Sequence, residues 1–303
     1  MRSRIALAFV LLFSCSMLTC RVYRLRIPKN ATVHFANVNN NVCKKLKEKV
    51  VFYGIFVDSK YTNTWTDYDI TSTMDSVQKA MTWIEDQARQ RGVNLDVVID
   101  FHNDDGTLPL ESNFTRKTLS ATLFSRNGPR LLDKWADKIA KDALKTYGPD
   151  TIDLAATKLK PKDRDKLIAR LRDIHGCDNV GLVYFINNYY TNEISLAMHT
   201  SATSTPEYAI VSYKNPGTIA HEYLHLFGAI DLYISPFDRG KASRKRKQVA
   251  MERFPNEIMA FAHRSIDSLD VSTLNEYMIG WRNELLEEDR KLLVRGKYKV
   301  AKY

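Results

Sequence analysis

Two apolar runs enclose a helix-patterned stretch early in the chain, and that order restricts the architecture more than any other feature. Val50–Val57 (VVFYGIFV) and Leu95–Phe101 (LDVVIDF) are short, β-branched and aromatic, the composition of buried strands. Between them Met74, Val77, Met81, Ile84 and Ala88 recur at three- and four-residue spacing, which predicts a helix over residues 70–90 stopped by Gly92. Strand, helix and strand joined by a crossover of this length make a βαβ unit with parallel strands.

The pattern continues downstream. Helical stretches are expected over residues 129–146 and 161–173, and Asn179–Ile186 (NVGLVYFI) and Tyr208–Tyr213 (YAIVSY) read as further strands. The loop His102–Asn113 contains Asp104-Asp105-Gly106, which reads as a plain turn, with a calcium loop as the alternative. No repeat of 20–50 residues is present, so solenoids and propellers drop out. The expectation is an α/β (α+β) fold around a mixed, twisted sheet.

The N-terminus reads as an export leader. A short basic stretch, Met1–Arg4, precedes the apolar run Ile5–Phe13. Nine residues are too few for a permanent span, which needs about 20, but suit the core of a signal peptide. Leu12-Phe-Ser-Cys15 resembles a lipobox, and Met17-Leu-Thr-Cys20 is a poorer candidate. Lipidation at Cys15 or Cys20 and simple cleavage are both open. The expected organisation is a leader over 1–20, a basic lead-in over 21–49, one catalytic-sized domain over 50–285 and a charged tail over 286–303. Export makes a disulfide possible, and Cys43 and Cys177 either pair or stay as small buried hydrophobes.

Of the 303 residues, 44% are hydrophobic, enough for a large core, and the formal net charge is +10. Much of the excess is local: Arg21 to Lys29, Lys44 to Lys49, and Lys241 to Lys247 within Gly240–Lys247 (GKASRKRK). These charges show no aromatic-basic interleaving of the stacking-platform kind and no nucleic-acid-binding motif, so no nucleic acid is expected as a partner. Gly240–Lys247 reads as a solvated loop, with acidic substrates or anionic headgroups as its alternative partners.

The strongest chemical statement is His221-Glu-Tyr-Leu-His225. Residues four apart share a helix face, so both imidazoles reach one ion, while Glu222 stands beside it to hold water. A helix here is supported by Asn215 as N-cap and Pro216 at the first helical position. Gly228 offers a left-handed helix end, after which Asp231 can return to the ion. His221, His225 and Asp231 would then give three protein ligands and an open vertex, the arrangement of a catalytic zinc site (Zn2+).

These residues complete H-E-x-x-H-x-x-G-x-x-D, which resembles the long zinc signature of metzincin-like zinc peptidases in the variant with aspartate as third ligand. Asn256-Glu-Ile-Met-Ala260 resembles their methionine turn, with Met259 as floor, and Leu274–Trp281 (LNEYMIGW) resembles a closing segment of related secreted bacterial metallopeptidases. The resemblance implies a zincin-like fold: an edge strand over the active-site helix, here Tyr208–Tyr213, and a mostly helical C-terminal subdomain. It also implies an exported metalloendopeptidase, secreted or lipid-anchored, acting on proteins or peptides with Glu222 as general base. Many members use histidine as third ligand, so Glu252 and Glu257 are reserve carboxylates to Asp231. Phe261 stands where some members have tyrosine, which leaves Tyr233, His263 and Tyr277 as candidates for stabilising the oxyanion. A catalytically inactive zinc-bearing surface protein and a basic envelope-polymer or nucleic-acid binder are the competing readings.

Overall fold

The computed structural model describes residues 42–43, 45–103, 109–113, 128–147, 161–187, 195–200, 205–212, 214–234 and 240–293. Strand β1 (Glu48–Asp58) leads into helix α1 (Asp67–Gln90) and strand β2 (Leu95–Phe101), which pairs in parallel with β1. The helix starts three residues before the expected residue 70, because Thr66 caps it. The Thr66 hydroxyl accepts the Asp69 N–H while the Asp69 carboxylate reaches back to the Thr66 N–H.

The two-residue strand β3 (Leu110–Glu111) extends the far end of β1, and helices α2 (Gly128–Leu144) and α3 (Asp163–His175) follow. Strands β4 (Asn179–Ile186), β5 (Leu196–Met198) and β6 (Tyr208–Val211) complete the sheet. The order is β2-β1-β4-β6-β5, parallel throughout except for β5, which runs antiparallel to β6. The fold is therefore mixed α/β.

Alternation along β1 explains why both faces are covered. Val50, Phe52 and Phe56 enter a core shared with α1, whereas Val51, Tyr53, Ile55 and Val57 enter a second core lined by α2 and α3. Arg164 is fully buried in the second layer, paired with Asp133 and Asp137 and stacked on Tyr208.

Beyond β6 the chain is helical: α4 (Pro216–Leu226), α5 (Lys241–Arg253), α6 (Ile258–Phe261), α7 (Thr273–Met278) and α8 (Glu287–Arg290). Two expectations are corrected. Tyr208–Val211 is not the edge strand: β4 and β5 occupy its two sides, its residues are buried, and β5 ends that side of the sheet among the described residues, lying against α4. Gly240–Lys247 is not a loop, since Lys241 opens α5. Lys, Arg, Ala and Gln are good helix formers, and their charge says little about helicity. The lipidation candidates Cys15 and Cys20 and the Asp104–Gly106 turn lie outside the described residues. No helix of the described residues is long and apolar enough to cross a membrane.

Candidate metal centre

Helix α4 is locked onto the sheet before it offers any side chain to a ligand. The Asn215 side chain accepts the Gly217 N–H at 2.7 Å, with Pro216 opening the first turn. Ile219, Ala220, Tyr223 and Leu224 pack into the first core. Tyr223 crosses β4 over Gly181, where an added Cβ would lie 2.3 Å from the ring, and donates its hydroxyl to the Val51 carbonyl at 3.2 Å. A side chain at position 181 would lift the helix and everything it carries.

The helix ends as the sequence implies. Gly228 adopts φ +101°, its N–H donates to the His225 carbonyl, and the Ala229 N–H donates to the Leu224 carbonyl. This pair of bonds is a Schellman motif, which closes the last carbonyls and redirects the chain. The turn brings Asp231 back over the helix face that carries the two histidines.

There the three side chains converge. His225 Nε2 lies 3.2 Å from His221 Nε2 and 3.0 Å from Asp231 Oδ1, and His221 Nε2 lies 3.3 Å from the same oxygen. Each imidazole places its other nitrogen on a backbone carbonyl: His221 Nδ1 donates to Ile258 at 3.2 Å, and His225 Nδ1 to Ala229 at 2.7 Å. Those bonds put the proton on Nδ1 and leave both Nε2 lone pairs facing one point, along with a carboxylate oxygen. Three electron-rich atoms so close call for a cation between them. Ligands held at about 2.0–2.1 Å from a tetrahedral ion lie about 3.3 Å apart, so the triangle fits three of its corners. Among the described residues this is the one group of His, Cys, Asp and Glu side chains that could hold a metal ion.

Glu222 supplies the second fit. It is 5% exposed, and its Oε2 is buried without a hydrogen-bond partner among the described residues. A buried carboxylate oxygen left bare is costly, and a bound water beside the His221, His225 and Asp231 cluster would satisfy it. Burial pushes the Glu222 carboxyl up from its ordinary value, against the pull of His221 and His225.

The turn that carries Asp231 is braced by the helical C-terminal part. Met259 is fully buried, and its carbonyl accepts the Leu232 N–H at 2.9 Å. The Asn275 side chain accepts the Ile230 N–H at 2.8 Å and donates to the Ile230 carbonyl at 3.4 Å and to Glu257 Oε1 at 3.2 Å. Glu257 also accepts the backbone N–H groups of Met259 and Ser272. It is therefore a structural hub and not a reserve ligand. Glu252 accepts from Gln248 on the surface and is likewise absent from the cluster. Asn275 was missed in the sequence, where its only signal was a polar residue inside the LNEYMIGW segment.

Of the three oxyanion candidates, Tyr233 is the one whose ring packs on His221, with centroids 6.2 Å apart. His263 is exposed and Tyr277 half-buried. Cys43 and Cys177 are unbonded thiols; Cys43 is buried, its Sγ against the Val180 carbonyl, and belongs to no metal cluster among the described residues. No protein-family model matches the chain, and a search of curated proteins finds no match.

Proposed function

We propose that this chain is a zinc-dependent endopeptidase in which His221, His225 and Asp231 hold the metal and Glu222 handles the proton. The observation that carries the reading is the convergence of two Nε2 atoms and one carboxylate oxygen, all within 3.0–3.3 Å of one another, with the bare Glu222 carboxylate within electrostatic reach. Three ligands and a free vertex suit catalysis, whereas structural zinc sites are closed by four protein ligands. The fold is compatible with a zincin-like arrangement: antiparallel β5 lies against α4, and Met259 sits buried among helical C-terminal segments.

His221, His225 and Asp231 would hold zinc, which would supply a Lewis acid for the scissile carbonyl and lower the pKa of a water from 15.7 towards about 7. Glu222 would accept a proton on a carboxylate oxygen and return it to the leaving amine. The Ile258 and Ala229 carbonyls hold both imidazoles in the tautomer that presents Nε2. An extended substrate would lie alongside β5, an end strand of the described sheet, and its backbone would continue the ladder. The proposal includes export, with the enzyme secreted or tethered at the envelope, on the strength of the leader expected over Met1–Cys20.

The test is hydrolysis of casein by the full chain. Activity should stop on chelation, return with added zinc, and be lost in Glu222→Gln. Zinc binding with no hydrolysis by the wild type would favour the inactive surface-protein reading instead.

A further inference from the structure

Glu257 is a buried carboxylate that neither holds the metal nor moves the proton in the reading above. It is 1% exposed, and no cation pairs with it among the described residues. Every group that reaches its side chain is a donor. Oε1 accepts the Met259 N–H at 3.1 Å and the Asn275 amide at 3.2 Å, Oε2 accepts the Ser272 N–H, and the Ser272 hydroxyl bonds the carboxylate as well. Burial pushes the carboxyl up from its ordinary value, and the bonds from Ser272, Met259 and Asn275 pull against it. A protonated acid would set its own proton against a donor, so these bonds select the anion. An anion buried with no cation beside it is costly, and an apolar side chain would fill the same space without that cost.

The two bonds on Oε1 lead to two different candidate ligands. The Met259 N–H belongs to the same peptide group as the Ile258 carbonyl, and that carbonyl accepts His221 Nδ1 at 3.2 Å. An anion on the N–H end of a peptide polarises it and makes its carbonyl a better acceptor. The arrangement is a carboxylate–histidine pair with one peptide group inserted, and it favours the tautomer that bares Nε2. Along the second bond, the Asn275 amide carries the constraint to Ile230, one residue before Asp231. Leu232, one residue after Asp231, bonds the Met259 carbonyl, so both neighbours of Asp231 are tied to groups that Glu257 holds.

We infer that Glu257 is a positioning residue of the metal site: one carboxylate oxygen sets the tautomer of His221 through the Ile258–Met259 peptide and the place of Asp231 through Asn275. The inference rests on the metal-binding half of the reading above. A residue that only held the fold would change stability and leave the His221 tautomer alone, and that difference separates the two roles.

The experiment compares the full wild-type chain with Glu257→Gln and Glu257→Asp. Glutamine keeps the length but sets a donor among donors. Aspartate keeps an anion to cap α6 but is one methylene short of Asn275. In metal-free protein carrying isotope-labelled histidine, at alkaline pH where the rings are neutral, long-range proton–nitrogen correlation spectra read each tautomer. The wild type and Glu257→Asp should show His221 protonated on Nδ1, and Glu257→Gln a mixture. Zinc affinity, from competition with a chromophoric chelator, should fall roughly 10–100-fold in Glu257→Gln and less in Glu257→Asp, where only the path to Asp231 is cut. Circular dichroism matching the wild type shows that a variant folds. Should Glu257→Gln not fold, Glu257→Asp carries the test, and wild-type zinc affinity there overturns the inference. With Glu257→Gln folded, zinc affinity equal to the wild type's, or one His221 tautomer in all three proteins, overturns the inference and leaves the endopeptidase reading intact. If the wild type binds no zinc, the endopeptidase reading fails, and the metal-free spectra decide the role of Glu257 by themselves.

Discussion

Asn275 grips Ile230 at both ends of the residue, accepting its N–H at 2.8 Å and donating to its carbonyl at 3.4 Å. The grip fixes the backbone one residue before Asp231, the only candidate ligand that α4 does not itself position. Asn275 is fully buried and is held in turn by Glu257, which also caps α6 and accepts the Ser272 N–H. The segment around Met259 and the candidate ligand Asp231 are thus tied by one polar network.

The network makes a prediction about metal affinity. Asn275→Ala leaves the Ile230 N–H and carbonyl unsatisfied and frees the turn, so zinc should bind roughly 10–100-fold more weakly, the usual effect of losing an outer-shell partner. Asn275→Asp keeps an acceptor for Ile230 but sets a second carboxylate against Glu257, and should weaken binding as well. Competition with a chromophoric chelator measures both.

Gly228 is the second test of the same turn. An alanine there must hold φ +101° and bring its Cβ to 3.2 Å from the Met278 carbonyl oxygen. The left-handed conformation alone costs roughly 1–2 kcal/mol. Thermal melting of Gly228→Ala should show a Tm lowered by roughly 2–4 °C per kcal/mol in a domain of this size. Zinc affinity should fall alongside, since Asp231 is displaced.

Glu207 gives a pH dependence that owes nothing to the metal. It is buried before β6, and burial pushes its carboxyl up from 4.5 to about 8, against the backbone N–H groups of Cys43 and of Glu207 itself. The folded state therefore holds the proton more tightly than the unfolded chain. Its stabilising effect is complete below about pH 4.5 and is lost as pH rises through 8. Glu207→Gln keeps an acceptor for the Cys43 N–H, bonded at 2.9 Å in the wild type, without a charge to bury. Chemical denaturation should show the variant gaining on the wild type between those limits, by at most a few kcal/mol at pH 8.

The local chemistry of the candidate site was legible in the sequence because it is written in neighbours. Asn215, Pro216 and Gly228 bound α4 through bonds spanning two to five residues, and His221 and His225 meet through helical spacing alone. Sheet order was not legible in the same way. Tyr208–Val211 and Leu196–Met198 are both short, and which of them lies at the end depends on partners far along the chain. The same holds for Asn275 and Glu257, whose bonds reach across 45 and 18 residues. Helix α5 escaped notice because it barely packs: with only Ala250 buried, no apolar period marks it.

The central claim is that Glu222 moves a proton while His221, His225 and Asp231 hold the metal, and one paired measurement separates those roles. Zinc stoichiometry and peptide hydrolysis are measured together on the wild type and on Glu222→Gln. One zinc per chain with similar affinity in both proteins, and hydrolysis by the wild type alone, is the expected result. A wild type that binds no zinc, or a Glu222→Gln variant that hydrolyses as fast as the wild type, would contradict it.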